Sequence, residues 1–286
     1  MLNLLRADLY RITRIRRLRG LFWQYALVLV ACTALFAFTT SMSLQEGFLS
    51  VDRVRMGSTP SAFAGGWWLS TPSILTMACL FGALELLFFD LSDGYIKNLA
   101  SSLRGRLALF AEKLVLVGIW SFLLMVVSFA LITLLALFLM SRVGLSFAAL
   151  DTVGTGFLWV LGVWLTNWAI SAIPLFFAFA TRAKVPSYIF GFLIATSSIP
   201  LFLMFLAEPS FLGLPGSVQS LLLNVAGWMP SITMQNLATG ANYILNPMAN
   251  SAGLPLNYAT WVLLVGIIWL AISSALFLLV AKKKDL

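Results

Sequence analysis

Six stretches of this chain are apolar over a length that matches one crossing of a lipid bilayer. They fall at about 21–43, 71–91, 114–140, 157–180, 187–206 and 260–281, and a helix needs ~20 apolar residues to cross a ~30 Å hydrocarbon core. A soluble fold of 286 residues could not hide them. The chain is 61% hydrophobic and 10% charged, whereas an ordinary soluble domain carries about 25% charged residues. Backbone groups in hydrocarbon must satisfy one another within a helix or a closed barrel, and blocks of this length point to helices. The expected fold is therefore an all-α polytopic membrane protein with six transmembrane helices. The third block has 27 residues and would be ~40 Å long at ~1.5 Å per residue, so it must tilt or project beyond the core.

The net charge of +8 does not signal nucleic acid, because fifteen of the eighteen Lys and Arg residues flank apolar blocks on one predicted side. Arg6, Arg11, Arg14, Arg16, Arg17 and Arg19 precede the first block, Lys97, Arg104, Arg106 and Lys113 follow the second, Arg182 and Lys184 follow the fourth, and Lys282, Lys283 and Lys284 end the chain. The opposite side has Arg53, Arg55 and Arg142, and none in residues 207–259. Cytoplasmic flanks carry the basic excess, which predicts both termini in the cytoplasm. The basic start and first block lack a small-residue cleavage pattern and read as an uncleaved first span. Cys32 and Cys79 each lie inside an apolar block and read as core residues rather than a disulfide framework.

Two segments outside the spans have their own pattern. In residues 1–20, Leu2, Leu5, Leu9 and Ile12 make one helical stripe, and Arg6, Tyr10, Thr13 and Arg17 another. This suits an amphipathic helix lying in the cytoplasmic interface, although a plain basic flank would share its composition. In residues 207–259, segments 217–228 and 230–245 are moderately apolar and too short to span, with Pro230 at a helix-start position. They read as a re-entrant outer pair before the last span.

The chain has no histidine, which removes Ser-His and Cys-His nucleophilic arrangements and His-containing metal sites. It also has no phosphate-cradling G-x-x-x-x-G-K-[ST] sequence, so ATP chemistry would have to come from another polypeptide. Glu85 is the one acid well inside a predicted span. Intramembrane acids are costly and default to a paired or functional role; either an ion pair, with Arg17, Arg106 or Lys113 on the same side, or a coupling-ion site would account for it. Pro174 and Pro200 interrupt spans four and five, and Thr196, Ser197 and Ser198 precede Pro200. Such hydroxyls either satisfy the carbonyls a proline frees or line a path.

The most informative stretch is Phe88-Phe89-Asp90-Leu91-Ser92-Asp93-Gly94-Tyr95-Ile96-Lys97-Asn98-Leu99-Ala100, followed by Arg104, Arg106, Glu112 and Lys113. Asp93 can cap a short helix and Gly94 permits the turn away from the membrane. Such a segment is either an ordinary solvated loop or a contact helix. Gly94-Tyr95-Ile96-Lys97-Asn98-Leu99, with Arg104 or Arg106 and then Lys113, resembles the first inner loop of type-2 ABC exporter permeases of the lantibiotic-immunity and bacitracin-resistance group. The stretch Leu103-Arg104-Gly105-Arg106 departs from the Pro-containing turn of many such permeases.

That resemblance implies a bacterial plasma-membrane permease without catalysis of its own, exporting an amphipathic or hydrophobic substrate such as a peptide antibiotic, drug or lipid-like molecule. It makes Asp93, Gly94, Tyr95, Ile96, Lys97, Asn98, Leu99 and Arg104, within a cytoplasmic loop at 91–113, the surface that docks on a dimer of ABC ATPase subunits. Glu85, Arg17 and Lys113 would transmit the closure, and Thr196, Ser197 and Ser198 are candidate path-lining residues. ATP and Mg would sit on the ATPase, a second permease chain and membrane lipids would be the other partners, and nucleic acid would not. The alternative from another class is an ion-coupled carrier or channel that works without an ATPase.

Overall fold

A computed structural model describes residues 2–14, 16–45, 59–69, 73–92, 103–143, 147, 149–241, 244 and 258–283. Within them, every regular element is a helix. They are α1 (Leu2–Arg14), α2 (Arg16–Gln45), α3 (Pro60–Trp68), α4 (Ile74–Ser92), α5 (Leu103–Val143), α6 (Val153–Thr181), α7 (Lys184–Ala195), α8 (Ser198–Leu206), α9 (Pro209–Leu212), α10 (Gly216–Gly227), α11 (Pro230–Leu237) and α12 (Tyr258–Lys283).

Five of these contain a stretch long and apolar enough to cross a membrane: Gly20–Ser43, Ile74–Leu91, Ala111–Leu139, Val153–Thr181 and Ala259–Val280. A sixth crossing forms when α7 and α8 are taken as one span bent by 63°. The chain is an all-α polytopic membrane protein, and its spans lie within a few residues of the apolar blocks in the sequence.

α6 is the centre of the bundle and packs against α4, α5, α7, α11 and α12. Its tryptophans tie it across to α5, because the indole N–H of Trp164 donates to Gly118 O at 2.9 Å and that of Trp168 to Leu114 O at 2.8 Å. A buried indole donor needs such a partner. α2 is the peripheral span, with 12% of its apolar window buried against 67% for α4. Its exposed Trp23, Leu27, Leu35 and Phe38 present the kind of surface that lipid covers.

Local rules set the helix ends. Thr59 caps α3, its hydroxyl accepting from Ala62 N–H at 3.3 Å with Pro60 at the first helical position, where proline costs no hydrogen bond. Thr152 caps α6 in the same way through Thr155 N–H. Arg182 ends α6 in the left-handed region at φ 55°.

α5 begins at Leu103, ten residues ahead of Lys113 and inside the segment the sequence reading assigned to a loop. Leu103–Val143 runs for 41 residues, so this helix projects beyond the membrane rather than fitting inside it. The run of helix formers after Gly105 explains the extension.

α1 packs against α2 and α5, with Leu5 and Leu9 set on the core and Arg6, Tyr10 and Arg14 turned out. This agrees with the amphipathic stripe. The segments expected at 217–228 and 230–245 contain two short helices, α10 and α11. α10 lies against α8, whereas α11 is packed on α6 and buries Pro230, Ser231, Thr233, Met234 and Leu237.

Candidate functional site

At the end of the bundle that carries α1, four ionisable side chains meet in a buried cluster. Lys113, in the first turns of the α5 span, pairs with Asp8 of α1 and Asp90 at the end of α4, and its ammonium lies 3.5 Å from Glu112 Oε2. All four residues are buried. Glu112 is fully enclosed beside this ammonium. One ammonium thus joins three helices, and the short α1 is fastened to the spans by charge as well as by its leucines. Charges taken out of water are tolerated only when paired in this way.

Glu85 sits one and a half turns before Asp90 on α4. Lys184 at the start of α7 approaches its two oxygens at 3.0 and 3.3 Å, and the phenol of Tyr188 donates to Oε1. The Tyr188 ring lies between Phe81 and Phe88 of α4, with centroids at 5.4 and 6.4 Å. Residues 81, 85 and 88 share one face, so this face of α4 offers α7 an aromatic slot with a carboxylate in the middle.

Of the partners expected for Glu85, Lys113 pairs instead with Asp8 and Asp90, about one and a half turns along α4. Arg17 lies on α2, and Arg104 and Arg106 lie on α5, with their side chains outside the described residues. Asp93, Gly94, Tyr95, Ile96, Lys97, Asn98 and Leu99 also lie outside them. The chain does place their flanks, Leu91 and Leu103, at the end of the bundle that carries α1.

The path-lining candidates fall at the break between α7 and α8. Ser197 takes a left-handed conformation, φ 56° and ψ 21°, and its hydroxyl reaches the carbonyl of Ser231 on α11 at 3.4 Å. The hydroxyls of Thr196 and Ser198 bond each other at 2.7 Å, and Thr196 donates back to Phe192 O at 2.8 Å. Ser197 therefore faces α11, and the other two satisfy each other and the local backbone.

The opposite end of the bundle is closed by a clasp for which the sequence offered no motif. Asp151, just before α6, accepts from Ser61 N–H and from the Ser61 hydroxyl, both at 2.8 Å. The same hydroxyl oxygen accepts from Ala241 N–H at 2.7 Å. Trp159 adds a bond from its indole to Leu237 O at 2.8 Å. α3, α6 and the end of α11 are thereby joined around one serine. Asp151→Ala is expected to cost about 1–3 kcal/mol, the penalty for leaving polar partners unmatched. Thermal unfolding in detergent measures it, and Ser61→Ala in the Asp151→Ala background should cost more again, because the Ser61 hydroxyl oxygen also accepts from the buried Ala241 N–H.

Sequence reasoning missed Asp8, Lys184 and Tyr188. Asp8 was findable, as it is the only acid among residues 1–45 and stands between Leu5, Leu9 and Ile12 on the apolar stripe, where a charge requires a partner. Lys184 and Tyr188 required knowing that α7 packs on α4.

Comparison with known protein families and with curated proteins finds no match for this chain.

Proposed function

We propose that this chain is the permease subunit of an ATP-driven exporter of the type-2 ABC class, moving an amphipathic or hydrophobic substrate outward across a bacterial plasma membrane. The observation that carries the reading is the fastening of α1 to α4 and α5 by Lys113. Residues 93–102 connect the end of α4, two residues after Asp90, to the start of α5, so a push on that segment reaches α1 and two spans through one buried contact. The Gly94-Tyr95-Ile96-Lys97-Asn98-Leu99 resemblance supplies the partner, a dimer of ABC ATPase subunits that binds ATP and Mg, with a second permease chain completing the transporter. The basic excess in residues 6–19, 97–113 and 282–284 supports a cytoplasmic position for that surface.

Tyr95 and Ile96 are the apolar anchors of the docking surface in this reading. Replacing both by Asp is expected to abolish co-purification of the ATPase while the chain still inserts in the membrane. Undiminished co-purification overturns the docking surface. A wild-type chain that transports along an ion gradient with ATP irrelevant restores the ion-coupled carrier.

A further inference from the structure

α1 turns a line of basic and aromatic side chains away from the bundle. Arg6, Tyr10 and Arg14 are spaced four residues apart, so they fall on one side of the helix, and all three are exposed. The guanidinium of Arg14 lies 5.8 Å from the centre of the Tyr10 ring, which holds it along this line. Among the described residues no carboxylate pairs with Arg6 or Arg14. Asp8, the one acid of the segment, is turned inward to Lys113. The outward line is therefore two guanidiniums around one aromatic ring, with no acid to answer them.

The place of this line in the bundle identifies what meets it. α2 begins at Arg16, two residues after α1 ends at Arg14, and the two helices pack together. α2 is also the peripheral span, and near its start it exposes Trp23 and Leu27, the surface that lipid covers. Aromatic rings with a polar edge settle at headgroup level, which Trp23 and the 62% exposed Tyr10 both suit. α1 thus borders the headgroups where the first span enters the bilayer. Its Leu5 and Leu9 are already set on the core, so the attraction between its outer side and lipid has to be one of charge.

We propose that the Arg6–Tyr10–Arg14 line of α1 docks on the phosphate headgroups of anionic phospholipids in the leaflet at that end of the bundle. A guanidinium meets a phosphate through two parallel hydrogen bonds, and the Tyr10 hydroxyl can donate a further one. Lipid then holds α1 from outside while Lys113 holds it from inside. The surface needs no ATPase and stands whatever drives transport.

Hydrogen exchange of the intact chain tests this in lipid nanodiscs holding one copy each, made of phosphatidylcholine alone or with phosphatidylglycerol of the same acyl chains. The expected result is that amides of residues 2–14 exchange more slowly with phosphatidylglycerol, by about fivefold for each arginine, the gain expected of a basic residue near an anionic surface. Amides of α6 should be unchanged. Salt at ~1 M, which shortens screening to ~3 Å, should remove the difference. The double variant Arg6→Gln, Arg14→Gln should lose it, and Arg6→Lys, Arg14→Lys should keep most of it. Equal exchange of α1 in the two lipids overturns the proposal, as does a difference that survives in the glutamine variant. Slowing that appears only in discs holding two chains makes this face an interface between copies and overturns it as well.

Discussion

Lys113→Met is expected to cost about 3–5 kcal/mol and to release α1 from the bundle, the penalty for removing one partner of a buried ionic group. Its ammonium is shared by Asp8, Asp90 and Glu112, so the loss leaves three buried carboxyl groups without their common cation. Methionine keeps the volume, which separates the charge effect from a cavity effect. The measurement is thermal unfolding in detergent, with protease cleavage after α1 as the local readout. Neutralising the acids in the same background, by Asp8→Asn, Asp90→Asn and Glu112→Gln, should recover part of the loss. A single variant that melts like wild type would show that the cluster contributes nothing to holding α1.

Gly240→Val is the second large effect. Gly240 has φ +95° and a Cβ placed there would stand 2.6 Å from Ala62 N and 2.7 Å from Ala62 Cα, backbone atoms that a rotamer change cannot move. A β-branched residue in that conformation costs about 1–3 kcal/mol in backbone strain, and overpacking adds about 1–3 kcal/mol more. The chain turns here from α11 towards Ala241, whose N–H meets Ser61, so the substitution pushes the clasp apart. The expected outcome is a loss of folded protein in the membrane and a lowered midpoint for what remains. Gly20→Ala, where nothing lies within 4 Å, should leave both unchanged.

The spans were legible because the bilayer imposes a length on apolar helices, and the last span, expected at 260–281, runs over Ala259–Val280. Angles were not legible. Pro200 marked the fifth span as interrupted, yet the 63° bend occurs at Thr196–Ser197, where the left-handed serine is stabilised by packing on α11, a segment 34 residues away from it at Ser231. The amphipathic stripe of α1 could be read from Leu5 and Leu9, and the depth of Glu85 from its apolar neighbours. Its partner could not, because the pairing of Lys184 and Tyr188 with Glu85 depends on which helices touch. α3 escaped notice for a related reason. Its stability rests on Thr59 as cap and on contacts from Asp151 and Ala238 rather than on a periodic apolar face. The sequence thus discloses what each helix needs from lipid and much less of what the helices need from one another.

The clasp around Ser61 also sets a timetable for synthesis. Ser61 and Ala241 are 180 residues apart, and at about 5–20 residues per second that interval lasts roughly 10–40 s. Through all of it the ribosome has delivered Ser61, then Asp151, and not yet the N–H that completes the joint. α12 arrives later still, and it is the chief neighbour of the central α6. Five crossings therefore wait in the bilayer with one end of the bundle unlatched, and a translation pause before residue 241 prolongs that half-built state, which makes it the stage at which a membrane chaperone has the most to shield.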